Sequence, residues 1–193
     1  INNNLIGVTA SGNVALGNSR SGSGYGIYTR DNGSGTNIHH NVIAASQTAD
    51  VSLNNDTSIS IKANIIGLGL DGSTAISSPG VGVSIANSVG PTQIGGTTSA
   101  ESNLISNHTL NGINISSSQN VSIEGNYVGV ANDGLTARSN AQGILVQGAT
   151  SANVRVGGNL AGQRNVISGN RNNGIFFSGG ASATGTNNIV IAN

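Results

Sequence analysis

The tetrapeptide Asn64-Ile65-Ile66-Gly67 is one of six copies of a pattern in which an asparagine is followed by two apolar residues and a small residue. The other five copies are Asn4-Leu5-Ile6-Gly7, Asn41-Val42-Ile43-Ala44, Asn103-Leu104-Ile105-Ser106, Asn126-Tyr127-Val128-Gly129 and Asn165-Val166-Ile167-Ser168. Successive asparagines are 37, 23, 39, 23 and 39 residues apart. A short step with insertions in every second copy is typical of a solenoid, in which each repeat forms one turn and the insertions form loops.

Each repeat contains three short runs rich in Ile and Val, separated by Gly, Ser, Asn and Asp. One run follows the asparagine, a second often has the form of Gly112-Ile113-Asn114-Ile115, and a third alternates as in Val121-Ser122-Ile123. Runs of this kind predict strands, and no stretch shows helical periodicity. We therefore predict an all-β fold, a right-handed parallel β-helix of about six turns with three strands per turn. The second apolar residue of each tetrapeptide should point inward, which places in the core Ile6, Ile43, Ile66, Ile105, Val128 and Ile167.

Stacked turns bring equivalent residues into register, so the six asparagines should form one column along the solenoid. Asparagine tolerates the left-handed backbone conformation, and we expect each of the six to adopt it. Their side-chain amides can donate and accept hydrogen bonds along the stack, as asparagine ladders do in cross-β assemblies. The predicted role of this ladder is structural, and it consists of Asn4, Asn41, Asn64, Asn103, Asn126 and Asn165.

A second level of repetition pairs the turns into modules of 62 residues. Asp71-Gly72 recurs as Asp133-Gly134, and Ile94-Gly95-Gly96 recurs as Val156-Gly157-Gly158, each at the same spacing. These repeats predict a single domain over residues 1–193 with modules at about 1–63, 64–125 and 126–193. We expect the chain to be a segment of a longer protein or fibre.

The composition excludes several classes of function. The chain has 193 residues with seven basic and seven acidic side chains, and only one of the basic residues is a lysine. Nucleic-acid binding needs clustered Lys and Arg, so we expect no nucleic-acid partner. Cysteine is absent, which removes disulfides and thiolate metal sites. No apolar run approaches the length that spans a bilayer, so membrane insertion is not expected, and no cofactor is expected.

These features resemble the right-handed parallel β-helix proteins of the pectate-lyase-like superfamily and the β-helix repeats of large bacterial exported proteins. The resemblance covers the whole chain and rests on the ladder, on the Gly-Ile-x-Ile runs and on the segment from Arg164 to Asn170. It implies the β-helix architecture without selecting one function, because the fold hosts lyases, hydrolases, epimerases, tailspikes, adhesins and stalks. Pectate lyases of this kind hold calcium with several acidic side chains and use an arginine as base.

The acidic residues of this chain are scattered, so no catalytic residue is assigned. Asp71 and Asp133 should stack two turns apart, about 10 Å, and are the candidate metal ligands. Each also precedes a glycine, which is typical of a turn in which Asp bonds its own backbone. His39 and His40 are adjacent, so in a strand they should face opposite sides and be unable to chelate one ion together.

The candidate ligand-binding residues lie in the last module. Arg138, Arg155, Arg164 and Arg171 can form a mild basic patch against acidic glycans, or be solvated loop residues. One of the adjacent phenylalanines must face outward in a strand, and Phe177 is the candidate contact, with Phe176 as the alternative.

Taken together, the sequence predicts a structural or adhesive β-solenoid segment of an exported bacterial cell-surface protein or extracellular fibre. The alternative is a polysaccharide-active enzyme or a carbohydrate-binding β-helix. Neither end carries a helix, a charged edge or a proline block, the devices that normally prevent open strand edges from pairing. Self-association through uncapped ends is therefore expected, and a cell-surface glycan is a second candidate partner.

Overall fold

The computed structural model describes residues 1–18, 22–31, 35–179 and, for the backbone alone, 189–191. Its strands form three parallel sheets of six strands each, and each turn of the chain contributes one strand to every sheet. This arrangement confirms the prediction of a parallel β-helix with six turns and three strands per turn. In the described part of the chain, no helix is long and apolar enough to cross a membrane.

The three sheets are named here by their place in the turn. Sheet 1, which follows the asparagines, contains β1 (Leu5–Ile6), β4 (Val42–Ile43), β7 (Ile65–Ile66), β10 (Leu104–Ile105), β13 (Tyr127–Val128) and β16 (Val166–Ile167). Sheet 2 contains β2 (Tyr25–Arg30), β5 (Ala49–Asn54), β8 (Val81–Ala86), β11 (Asn111–Ser116), β14 (Gln142–Gln147) and β17 (Ile175–Ser178). Sheet 3 contains β3 (Asn37–His39), β6 (Ile59–Lys62), β9 (Thr92–Gly95), β12 (Gln119–Glu124), β15 (Ala152–Gly157) and β18 (Ile189–Ile191).

The interior is filled by aliphatic side chains that repeat at the same position in each turn. In sheet 1, Ile43, Ile66, Ile105 and Val128 are fully buried, and the partly buried Ile6 and Ile167 pack against the same cluster. The predicted inward residues are therefore confirmed. In sheet 2, Ile113 pairs with Val83 on one side and with Ile144 on the other, so each apolar row continues from turn to turn.

The long repeats differ from the short ones by a hairpin that leaves the solenoid directly after sheet 1. Antiparallel bridges close these hairpins between Val8 and Ala15, Leu68 and Ala75, and Val130 and Ala137. The glycine that ends the tetrapeptide makes this exit possible. Gly67 has a φ of +84°, and a Cβ there would lie 1.9 Å from the carbonyl oxygen of Ser106. The short repeats, which form no hairpin, have Ala or Ser at this position.

The hairpins stack on one another although they leave alternate turns. The Leu70 amide donates to the Gly12 carbonyl at 3.0 Å, and the Asn132 amide donates to the Gly72 carbonyl at 3.0 Å. Below them lies a second apolar cluster on the outer side of sheet 1, made of Val8, Val42, Ala44, Ala45 and Ile76 with Ile65 packed against it. The hairpins therefore cover part of the outer face that a bare solenoid would expose.

Candidate functional site

The predicted asparagine ladder is present, and its five interior members are buried. Each side-chain amide donates from Nδ2 to the Oδ1 of the asparagine in the following turn. The Nδ2 to Oδ1 distances are 2.9, 3.0, 3.0, 2.9 and 3.1 Å from Asn4 through to Asn165. The same Oδ1 atoms also accept the backbone amide of the preceding asparagine, as Asn103 Oδ1 does from Asn64 at 3.0 Å. Every rung therefore consists of two hydrogen bonds to one oxygen.

The expected left-handed conformation of the ladder asparagines is wrong. Positive φ angles occur instead at the residue before the asparagine in four turns, at Asn3, His40, Ala63 and Gly125. In the other two turns a short 3₁₀ helix, Ser99–Glu101 or Ala161–Gln163, precedes the asparagine, and the residue between them is extended. The chain turns sharply before sheet 1, and in these four turns the residue before the asparagine makes the turn. The asparagine itself is then free to place its side chain in the stack.

The side-chain hydrogen bonds between the asparagines have one direction. From Asn4 to Asn126, each Nδ2 donates to the Oδ1 of the following asparagine, and each of these Oδ1 atoms accepts from the preceding asparagine. At the first rung, Asn4 donates to Asn41, while its Oδ1 accepts no hydrogen bond from the described part of the chain. The Asn4 side chain is exposed at this edge. An acceptor of the same kind as the interior rungs is thus presented on the first turn.

Asp71 and Asp133, the predicted metal candidates, accept hydrogen bonds from their own turns with both carboxylate oxygens. Asp71 Oδ1 accepts the amides of Ser73 and Thr74 at 2.9 and 2.8 Å, and its Oδ2 accepts the Thr74 hydroxyl at 2.6 Å. Asp133 repeats this geometry with Leu135 and Thr136. The threonine hydroxyls, followed by the turn amides, lower the pKa of Asp71 and lower that of Asp133 to about 2.

Arg138, one of the four predicted arginines, lies between the two hairpins that carry these turns. Its Nε donates to the carbonyl of Ser73 at 2.7 Å, and its Nη1 donates to the carbonyl of Ala137 at 3.1 Å. Its charge also contributes to the low pKa of both Asp71 and Asp133. Arg138 therefore braces the hairpins.

Arg155, a predicted ligand-binding residue, is bound within sheet 3. Its Nη2 lies 2.8 Å from Glu124 Oε1, and its Nη1 donates to the Gly157 carbonyl at 2.6 Å. The buried Glu124 also accepts from Gln163 Nε2 at 2.6 Å. One module earlier, the equivalents of Glu124 and Gln163 are Lys62 and Glu101, which form an ion pair at 2.9 Å. The charge at this repeat position is therefore reversed between the two modules. It is basic at Lys62 and acidic at Glu124, and each side chain has an ion-pair partner.

Arg164 and Arg171 are exposed, and the four arginines are not one patch. Arg164 lines a shallow groove on the outer side of sheet 1 together with Tyr127. Tyr127 also lines the adjoining groove between the second and third hairpins, where Leu70, Asp71 and Asn132 form the rim. The structure therefore brings Arg164 near an aromatic ring and separates it from Arg155, which is held in sheet 3.

One of the two adjacent phenylalanines does face outward, as predicted, but it is the alternative, Phe176. The choice of Phe177 as the contact is wrong, because Phe177 packs against the core. Phe177 pairs with the buried Val146, whereas Phe176 pairs with Leu145. The repeat contained the signal: Gly174-Ile175-Phe176-Phe177 aligns with Gly112-Ile113-Asn114-Ile115, so Phe177 takes the inward place of Ile115. The outer row of sheet 2 begins with Tyr28 and ends with Phe176.

The expectation that His39 and His40 face opposite sides is also wrong. His39 ends β3, and His40 follows with a φ of +57°, which interrupts the alternation of a strand. The two Nδ1 atoms lie 3.0 Å apart, and the rings meet edge to face with centroids 5.3 Å apart. The strand rule fails here because His40 lies at the sharp turn before Asn41.

Sequence reasoning missed a second polar column, which joins sheet 1 to sheet 2 inside the fold. We call it the mixed column, and it consists of Ser46, Ser78, His108, Asn140 and Asn170. Its centre is His108, which is fully buried, with Nε2 2.9 Å from Asp50 Oδ2 and Nδ1 2.9 Å from Asn140 Oδ1. Asn140 Nδ2 continues the column to Asn170 Oδ1 at 3.0 Å.

The pair formed by Asp50 and His108 has the residue types of an acid–base dyad but not its accessibility. Asp50 and His108 are both 0 % exposed, so no substrate in solution reaches them. The column positions are 62 residues apart in alternate turns, as Ser46, His108 and Asn170 are. This spacing is the only signal in the sequence, and it is hidden because the residue type changes at every step.

The described residues contain no group of three or more His, Asp or Glu side chains placed to hold one metal ion. Comparisons with family models, with curated proteins and with solved structures find no match for this chain. The proposals below therefore rest on the sequence and on the geometry of the described residues.

Proposed function

We propose that this chain is a structural or adhesive segment of an exported bacterial cell-surface protein or extracellular fibre, on a β-helix of the pectate-lyase-like kind. The asparagine ladder is the observation that carries the proposal. It spans all six turns with hydrogen bonds of uniform length and direction, and the aliphatic core follows it without interruption. Such a column favours a rod whose turns add along one axis.

The first turn supports addition of further turns, whether from the same chain or from another copy. Val42 N donates to the Asn4 carbonyl and Ala44 N to the Ile6 carbonyl, so these acceptors, one just before β1 and one within it, are used inside the fold. Strand geometry then directs the amide and carbonyl of Leu5 toward the open edge. The Oδ1 of Asn4 faces the same way. This edge matches the donors that a preceding turn offers, and a head-to-tail contact of this kind extends without closing.

An adhesive role is supported by the groove around Tyr127. The Tyr127 ring lines one groove with the exposed Arg164 and the adjoining groove with Asn132, which places a stacking surface beside hydrogen-bonding groups that a carbohydrate can use. Catalysis is less well supported, because both turn carboxylates already accept three hydrogen bonds within their own turns. We therefore favour binding of a cell-surface glycan over cleavage of one.

Sedimentation velocity over a range of concentrations tests the stacking. The designed variant is Leu5→Pro, which removes the amide at the open edge and leaves the β1 to β4 hydrogen bonds intact. Leu5→Ala, which keeps that amide, is the matched control. We expect assemblies that grow with concentration for the wild type and for Leu5→Ala, and a monomer for Leu5→Pro. A wild-type monomer at millimolar concentration would overturn the stacking proposal.

Binding and catalysis are separated by a polysaccharide panel that includes pectin and alginate. Retardation in gels that contain each polysaccharide measures binding, and absorbance of unsaturated products or release of reducing ends measures cleavage. We expect retardation without products, abolished by Tyr127→Ala and unaffected by Phe176→Ala. Product formation that is lost in Asp71→Asn would instead establish the enzymatic alternative.

A further inference from the structure

His39 and His40 bring two imidazole nitrogens together on the surface of the first turn. Their Nδ1 atoms are 3.0 Å apart, His39 is half-buried and His40 is exposed. Neutral imidazole is the commonest metal ligand among side chains, and each ring here presents the nitrogen nearer to its own backbone. The distance between the two Nδ1 atoms therefore determines which metal geometry the pair can fit.

The backbone of the solenoid, and not a ligand, holds this geometry. The residue before the ladder asparagine also has a positive φ at Asn3 and at Ala63, so the turn at His40 belongs to the repeat. The carbonyl of His39 accepts Asn41 Nδ2 at 3.0 Å, which ties the pair to the ladder. A ligand that binds both rings therefore meets two groups whose backbone is already fixed, which reduces the ordering cost of binding.

The nitrogen separation selects a coordination geometry. Two metal–nitrogen bonds of about 2.0–2.1 Å that end on atoms 3.0 Å apart meet at about 90°. That angle matches two neighbouring positions of a square-planar or tetragonal ion, and it is smaller than the tetrahedral angle that zinc prefers. We propose that His39 and His40 form a two-nitrogen chelating site for copper(II) or nickel(II), with water in the other positions.

Binding needs a change of tautomer and no change of charge. In the free protein one Nδ1 carries a hydrogen and donates it to the other. When the ion binds, that ring carries its proton on Nε2 instead of Nδ1, so the Nδ1 lone pairs of both rings can bind the metal and each imidazole stays neutral. A neighbouring cation, Lys62, does not oppose the ion strongly. Lys62 pairs with His39 in the next turn, but its Nζ is held 2.9 Å from Glu101 Oε1.

The rest of the chain offers few other ligands for copper(II). There are three histidines and no cysteine in the whole sequence. The third histidine, His108, is fully buried between Asp50 and Asn140. A copper titration of the untagged protein therefore reports on His39 and His40, apart from any ion bound by the amino terminus.

Isothermal titration with copper(II), paired with electron paramagnetic resonance, tests the proposal on the untagged wild type, on His39→Gln and on His40→Asn. Asparagine tolerates the positive φ of position 40, so the second variant keeps the turn. We expect one bound ion per chain, a tetragonal spectrum with coupling to two nitrogens, and an affinity loss of about tenfold or more in each variant. Thermal melting confirms that both variants remain folded.

Two results would overturn the proposal. Copper binding that persists unchanged in both variants assigns the ion to the amino terminus. A loss in only one variant means that a single imidazole binds and that the 3.0 Å pair is a hydrogen bond without a metal function. Nickel(II) should repeat the pattern more weakly than copper, and zinc(II) should bind weaker than copper as well, as the general order of divalent affinities requires.

Discussion

The ladder and the mixed column perform the same structural task with different means. Both run along the solenoid and hydrogen-bond successive turns, and both are buried over most of their length. The ladder uses one residue type whose amide is donor and acceptor at once, so each rung is satisfied by its neighbours. The mixed column uses two serines, an imidazole and two amides, and its imidazole depends on the carboxylate of Asp50 beside it. A uniform column tolerates local loss, whereas a mixed one depends on every partner.

The largest effect is expected from breaking the mixed column at its buried charge. His108→Ala removes the side-chain partner of Asp50 Oδ2, while Asp50 Oδ1 keeps the Ser46 amide at 3.2 Å. Loss of one member of such a buried pair costs about 3–5 kcal/mol. Urea unfolding followed by circular dichroism measures the change. The double variant His108→Ala with Asp50→Ala should lose less than the two single variants together, because it leaves no unpaired buried carboxylate. Strict additivity would mean that the two residues are not coupled.

Breaking the ladder should cost less. Asn103→Ala leaves the buried backbone amide of Asn64 without its acceptor and removes one of the three acceptors of Asn64 Nδ2, and an unpaired buried group of this kind costs about 1–3 kcal/mol. Asn4→Ala, at the exposed end, is the matched control and should cost clearly less. Because position 103 has no positive φ, Asn103→Gly should not recover stability relative to Asn103→Ala. A melting temperature unchanged in Asn103→Ala would contradict the structural role of the ladder.

The surface turns of the hairpins provide a polar set outside both columns. Asp71→Ala removes the acceptor for Ser73 and Thr74 from an exposed loop, so unfolding should shift in the same direction as in Asn103→Ala but by a smaller amount. Asp71→Asn keeps an oxygen and should lie between the wild type and Asp71→Ala. An Asp71→Ala loss equal to that of Asn103→Ala would mean that the hairpins are as important to stability as the ladder.

Calcium should not bind these turns at micromolar concentration. Asp71 and Asp133 each direct both carboxylate oxygens to their own turn, and calcium takes six to eight oxygen ligands. Calorimetric titration of the wild type measures this directly. Micromolar binding that disappears in Asp71→Asn would reverse the interpretation and favour a lyase.

The smallest effect should come from acid titration of the half-buried pair between Lys62 and Glu101. Contact with the Lys62 ammonium, and then with the Thr98 hydroxyl, lowers the pKa of Glu101 from 4.5 to about 2. A lowered carboxyl pKa stabilises the fold fully above pH 4.5, and that contribution disappears as the pH falls toward 2. Since both side chains still contact solvent and the attraction is screened by salt, the loss should be slight. Glu101→Gln should flatten this part of the stability curve, and an unchanged curve would show that the pair is not involved.

The ladder was predictable from the sequence, and the mixed column was not, for a physical reason. A column of identical asparagines repeats its letters, so the 62-residue period is visible at Asn64 and Asn126. His108 and Asp50 are 58 residues apart, and their contact depends on which way a buried ring turns inside the stack. The same limit applies to His39 and His40, because alternation in a strand predicts opposite faces and the positive φ of His40 overrides it.

The placement of the phenylalanines was within reach of the sequence, since strand parity fixes Phe177 once Ile175 is known to point inward. The hairpins were predicted as insertions, but their direct stacking was not. That contact depends on the tilt of each loop, which brings the Asn132 amide to the Gly72 carbonyl across two turns. Loop tilt is set by packing on the outer face of sheet 1 and leaves no periodic pattern.

The stacking of hairpins from alternate turns also limits how such a protein can change length during evolution. Loss of a single turn between two hairpins would place them on neighbouring turns, and gain of one would place them three turns apart. Either change would break a contact of the kind that joins Leu70 to Gly12 and Asn132 to Gly72. Insertion or deletion of two turns together leaves every such contact in place. Unequal recombination between genes of this type should therefore yield descendants whose lengths differ in steps of 62 residues, with odd numbers of turns removed by selection.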